Sequence, residues 1–218
     1  MADAGVEFAP FFRWAQTAAA TQPAAVKGIY AQLASYRINR LVACDGVLSI
    51  APPSLTLAAD GAVRLETAAM DEMVSYVLSL GFEAFALPEV AGCGPVLSKP
   101  HGATPTDTWT FHNKSVPIFA KSESSASGGG GATLSPAFVS MFKRVYGALV
   151  AHLKSRGWDK HARAVFLDEP SVSGFTGEAV NAVNGLWKEV GLRVMQTEFS
   201  SHDTGVDSWN VKVGLTML

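Results

Sequence analysis

The sequence is short of charge, of cysteine and of long apolar runs, and each shortage removes a class of protein. Only 17% of its 218 residues are charged, and 17 basic against 19 acidic side chains leave a net charge of -2. That excludes a polyelectrolyte arm, and a broad basic surface for nucleic acid is not expected. No apolar run approaches the ~20 residues that span a bilayer. Met1 to Gln16 lacks a basic stretch followed by an apolar one, so no signal peptide is visible. The 2 cysteines, Cys44 and Cys93, stand far apart without CxxC spacing. A cysteine zinc site and a disulfide framework are therefore unsupported, while a single disulfide stays open. His101, His112 and His161 show no metal-ligand spacing, and neither a metal nor a cofactor is expected.

Apolar residues, in contrast, make up 48% of the chain, enough for a sizeable core and too many for a disordered polymer. They fall in a repeating order. Helical spacing predicts helices over Pro23 to Ser35, Thr67 to Leu80, Pro136 to Arg156 and Thr176 to Val190. The third is the clearest. Ser135 suits the N-cap, Pro136 suits N1, and Phe138, Phe142, Val145, Leu149 and Leu153 form one apolar stripe before Gly157. Thr67 is the expected cap of the second helix. A short run of strand formers follows each helix: Arg40 to Cys44, Phe82 to Leu87, Ala162 to Leu167 and Leu192 to Thr197. A fifth run, Val206 to Val213, is more polar. Continuous rather than alternating apolar residues suit strands buried on both faces. Helix alternating with strand implies right-handed crossovers and a parallel sheet.

Acidic residues follow four of these strands: Asp45, then Glu89, then Asp168 with Glu169, then Glu198. Binding and catalytic groups collect at the carboxyl ends of parallel strands. Any one carboxylate is accounted for by an ordinary polar loop, but four in succession point to one polar mouth. Two stretches interrupt the repeat and read as long loops, Leu48 to Arg64 and Val90 to Leu134. In the second, residues 122–133 are Ser/Gly-rich and read as a flexible linker or lid hinge. Trp109, Phe111, His112 and Asn113 precede that tract, either to cover a ligand or to anchor the loop.

The sharpest local feature is Asp168-Glu169-Pro170 at the end of an apolar strand. Two close carboxylates titrate as a coupled pair, so one keeps its proton at neutral pH. A protonated acid beside an ionised one is what glycosidic bond cleavage requires. The plainer alternative has Asp168 capping a turn and Glu169 paired with Arg163 or Lys160.

Here the chain resembles a known family. The stretch His152-Leu153-Lys154-Ser155-Arg156-Gly157-Trp158, the strand ending Asp168-Glu169-Pro170, and Val206-Asp207-Ser208-Trp209 follow one another as in glycoside hydrolase family 123. Tyr30 to Asn39, with Arg37-Ile38-Asn39, is similar to that family's earlier helix. The resemblance is loose before residue 90 and firmer after 134. It implies a retaining β-N-acetylgalactosaminidase with substrate-assisted catalysis. Glu169 would be the general acid/base, and Asp168 would orient the 2-acetamido group and stabilise the oxazolinium. Family 20 hexosaminidases use a similar pair, but their His-x-Gly-Gly lead-in is missing here. An α/β-hydrolase is disfavoured because no Gly-x-Ser-x-Gly elbow is present.

Trp209 is a candidate aromatic platform for a sugar ring, level with a reading as a core residue. Asp207 and Glu198 are further substrate-binding candidates. His202 is weighed against a solvated loop residue, and Arg37 against a surface ion pair. His152, beside an apolar stripe, reads as structural. The expected fold class is α/β, a (β/α)8 TIM-barrel type, incomplete, with about five βα units where a full barrel takes ~250 residues. The whole chain reads as one partial domain. The second reading is a non-catalytic carbohydrate-binding or assembly fragment of a longer barrel protein. A glycan or glycoconjugate is the expected partner, with no nucleic acid and no membrane span. The resemblance suggests an extracellular or periplasmic location.

Overall fold

A computed structural model of the chain describes residues 23–37, 40–41, 50, 53–58, 62–87, 108–111, 114–120, 133–165, 176–196 and 208–209. Four helices appear where the periodicity places them. These are α1 (Pro23–Ser35), α2 (Ala68–Ser79), α3 (Pro136–Ser155) and α4 (Gly177–Val190). Among the described residues nine strands accompany them. β1 (Arg40–Leu41), β4 (Ala84–Ala86), β7 (Ala162–Val165), β8 (Arg193–Gln196) and β9 (Ser208–Trp209) form one sheet. Each pairs in parallel with the next, in the order β1-β4-β7-β8-β9, which is also the order along the chain. The protein is thus mixed α/β. Among the described residues the sheet does not close: β1 pairs with β4 alone and β9 with β8 alone.

The four remaining strands were not anticipated. β2 (Ser54–Leu57) pairs antiparallel with β3 (Val63–Glu66), and β5 (Thr108–Phe111) with β6 (Lys114–Pro117). The second hairpin lies within the stretch expected to be a long loop, and the first lies mostly within the other, running two residues past Arg64. The Ser/Gly-rich tract lies outside the described residues except for Thr133.

Each helix touches the next, which sets the four in one layer. Lys27 Nζ of α1 meets Glu72 Oε1 of α2 at 2.6 Å, and the Tyr76 hydroxyl of α2 donates to Lys27 O at 3.0 Å. The hydrogen bond and charge of Lys27 hold the Glu72 carboxyl below its ordinary range. Asp71 of α2 joins two residues at the end of α3: Oδ1 to His152 Nε2 at 2.7 Å, and Oδ2 to Arg156 Nη2 at 2.8 Å. Lys143 of α3 reaches Glu189 of α4 at 2.7 Å. His152 is therefore structural, as expected. The sequential strand order explains the single layer, because right-handed crossovers that always step the same way leave every helix on the same face.

Beneath the helices lies the core. The stripe Phe138, Phe142, Val145, Leu149 and Leu153 is fully buried, as are Met70, Val74 and Val77 of α2. In the sheet, Phe85, Ala162, Ala164 and Val194 share one face by register and are all buried. Ends are set largely as the sequence implies. Ser135 and Thr176 cap α3 and α4, accepting from the Phe138 and Ala179 amides. Gly157, just past α3, has φ 71°, the left-handed region that glycine enters without a Cβ clash. Thr67 departs from expectation: its side chain makes no capping bond, and the Ala68 amide donates to Glu66 Oε1 at 3.3 Å instead.

Tyr30 is wholly buried against Phe82, and burial pushes its phenol well above the ordinary value near 10. A raised folded value means the stability is complete below pH 10 and falls as pH rises beyond it. Alkaline unfolding followed by circular dichroism is expected to begin above about pH 10, and Tyr30→Phe, which keeps the ring and removes the proton, flattens that limb.

Candidate functional site

A parallel sheet sends every strand out at the same edge, and the acidic residues of the sequence follow from there. β7, the middle strand of the five, has Val165 as its last residue, and Asp168-Glu169 follow three and four positions on. β8 ends at Gln196, two positions before Glu198. Asp207 immediately precedes β9. Asp168, Glu169, Glu198, His202 and Asp207 themselves lie outside the described residues. Trp209 is the second residue of β9 and the register partner of Gln196.

Arg37 does not belong with this group. It is exposed, with φ 60°, in the turn between α1 and β1. That turn enters the N-terminal end of the strand, at the sheet edge opposite the carboxyl ends. Arg37 therefore stands apart from the mouth, since parallel strands separate the two edges by their own length.

The sequence singles out Trp109 and Phe111 but not the hairpins themselves. Each hairpin sits between the carboxyl end of a strand and the start of a helix: β2–β3 before α2, and β5–β6 before α3. Both contact α3. The Trp109 ring, fully buried, packs at 5.5 Å from Phe138, 6.3 Å from Phe142 and 6.4 Å from Tyr146. Trp109 and Phe111 therefore anchor the loop and do not cover a ligand. His112 and Asn113 lie outside the described residues. The hairpin faces turned away from the core carry exposed Thr108, Thr110 and Ser115, with Ser54, Thr56, Arg64 and Glu66 on the other hairpin.

Ser135 fastens the second hairpin to the helix. Its hydroxyl donates to Pro117 O and accepts from the Phe138 amide at 3.1 Å, while its own amide donates to Ile118 O at 2.7 Å. Ser135→Ala removes a cap and leaves the Pro117 carbonyl without this donor. The expected loss is about 1–2 kcal/mol, read as a lower urea midpoint at constant m-value.

The other polar groups near β7 have structural partners. Arg163 Nη1 donates to Lys160 O at 2.8 Å and Ala162 O at 2.9 Å. His161 Nδ1 lies 2.8 Å from Glu83 O. Among the described residues no group of three or more His, Cys, Asp and Glu stands ready to hold a metal ion. No described helix is long and apolar enough to cross a membrane. No protein-family model matches the chain, and no curated protein matches it.

Proposed function

We propose that the chain is a glycoside hydrolase domain, a retaining β-N-acetylgalactosaminidase that uses the substrate's own acetamido group as nucleophile. One observation carries the reading. Asp168-Glu169-Pro170 follows β7, the central strand of a parallel sheet wound in chain order. In such sheets the carboxyl ends of the strands are where reacting groups gather. Glu169 protonates the leaving glycosidic oxygen. Asp168 orients the acetamido group, whose carbonyl oxygen attacks the anomeric carbon, and offsets the positive charge of the oxazolinium formed. Water then opens that ring with Glu169 acting as base, which gives net retention.

The sequential winding also supports the finer reading of the fold as part of a (β/α)8 barrel. With all helices on one face, a parallel sheet must still cover the other, and curling into a barrel does so. The resemblance in His152 to Trp158, Asp168 to Pro170 and Val206 to Trp209 supplies the choice of sugar. Trp209, Glu198 and His202 remain the proposed substrate contacts and the glycan the proposed partner, while Asp207, which precedes β9 rather than following a strand, is not among them. That the sheet does not close among the described residues favours one second reading, a domain that binds carbohydrate or assembles with another chain without turnover. Hydrolysis of aryl β-N-acetylgalactosaminide and β-N-acetylglucosaminide by the purified chain separates the two. Turnover supports the hydrolase, and sugar binding without turnover supports the second reading.

A further inference from the structure

The connections from helix into strand gather at the N-terminal edge of the sheet, away from the carboxyl ends, and this edge is basic. Arg37, Lys154, Lys160 and Arg193 are all exposed there. Three of them stand on two neighbouring connections. Lys154 Nζ lies beside Gly191, 3.1 Å from the place a Cβ would occupy. Arg193 is the register partner of Arg163, whose guanidinium is bonded to the Lys160 carbonyl. The connections α3–β7 and α4–β8 are thus neighbours at this edge, with Lys154 on its helix side and Arg193 on the opposite face of the sheet from buried Val194. The acidic residues described on this edge are Glu83, Asp159 and Glu189, the last paired with Lys143, while Asp71 is already engaged by His152 and Arg156. Lys154, in the last turn of α3, is accounted for by the helix dipole. Lys160 and Arg193 lie beyond the helix ends and are not. A second feature marks the same edge. Tyr36, next to Arg37, is 69% exposed and stands out as the exposed large hydrophobic side chain among the described residues.

We propose that this edge docks the protein peripherally on an anionic phospholipid surface, leaving the strand carboxyl ends facing away from it. Cations held within a Debye length of such a surface contribute about 1 kcal/mol each. An aromatic side chain with a polar tip suits the headgroup layer. A nucleic-acid duplex would use the same cations but would leave the Tyr36 ring without an apolar environment. The proposal is independent of the glycosidase reading.

The test is co-sedimentation of the whole chain with vesicles of phosphatidylcholine alone, or with about 30% phosphatidylserine, at low and high salt. Binding is expected only to the serine-containing vesicles, and only at low salt. Lys154→Gln, Lys160→Gln and Arg193→Gln combined should lower the partition coefficient on the order of 100-fold. Tyr36→Ser should lower it several-fold, with the circular dichroism spectrum of every variant unchanged. Three results would each overturn the proposal: no binding to the anionic vesicles at low salt, wild-type binding by the triple variant, or equal affinity for a DNA duplex.

Discussion

Glu169→Gln is expected to lower kcat/KM on an alkyl β-N-acetylgalactosaminide by roughly 10²–10⁴-fold, the usual contribution of a positioned general acid. The alkoxide leaving group of such a substrate is strongly basic and departs only when protonated. An activated aryl glycoside, whose phenolate leaves unaided, should lose much less in the bond-breaking step. Asp168→Asn should behave differently. The amide keeps the shape but removes the negative charge opposite the oxazolinium, so the rate falls whatever the leaving group. A leaving-group series measured on both variants therefore assigns the two roles separately. Equal rates for wild type and both variants would remove the hydrolase assignment. Sugar binding retained in the double variant, with no turnover by wild type, would move the protein to the binding class.

Phe142→Ala should produce the largest loss of stability. The ring is wholly buried and lies at 4.6 Å from Tyr146, 4.6 Å from Trp187, 5.5 Å from Phe138 and 6.3 Å from Trp109. It therefore joins α3, α4 and the second hairpin in one aromatic cluster. Truncation removes the transfer free energy of the ring and leaves a cavity that rigid aromatic neighbours cannot collapse, costing about 3–5 kcal/mol. Domains have only about 5–15 kcal/mol in all, so the urea midpoint should fall sharply. Phe142→Leu, which fills most of the volume, should cost much less. Equal midpoints for Phe142→Ala and wild type would show that this cluster does not hold the three elements together.

The helices were legible because their signals are local. Ser135-Pro136 with a stripe from Phe138 to Leu153, closed by Gly157, states a helix, its buried face and both its ends. The same holds for the strand sites, since runs rich in apolar residues such as Ala162 to Leu167, interrupted by Arg163 alone, are long enough for a strand and too short for a helix. Thr67 makes no capping bond because a cap depends on backbone dihedrals, and at φ −114° and ψ 0° the hydroxyl is not set to receive the amide. The hairpins carried signals that the Pro- and Gly-rich surroundings obscured. Leu55 and Leu57 alternate with polar residues, as do Val63 and Leu65, with Asp60-Gly61 between them, a pairing that favours tight hairpin turns. Trp109 and Phe111 alternate in the same way with Thr108 and Thr110.

The sequence by itself determined the elements, the repeating helix–strand order and the placement of carboxylates just after strands, because each is written in residues a few positions apart. The tertiary structure decided three other matters. It set the strand order, since pairing joins segments such as Ala86 and Arg163 that are far apart in the chain. It set Arg37 at the edge opposite the strand carboxyl ends, because a residue's side of a parallel sheet depends on which end of a strand its turn enters. It also turned Trp109 inward, because an aromatic ring in a loop is buried or exposed according to what packs beneath it, and here that is α3.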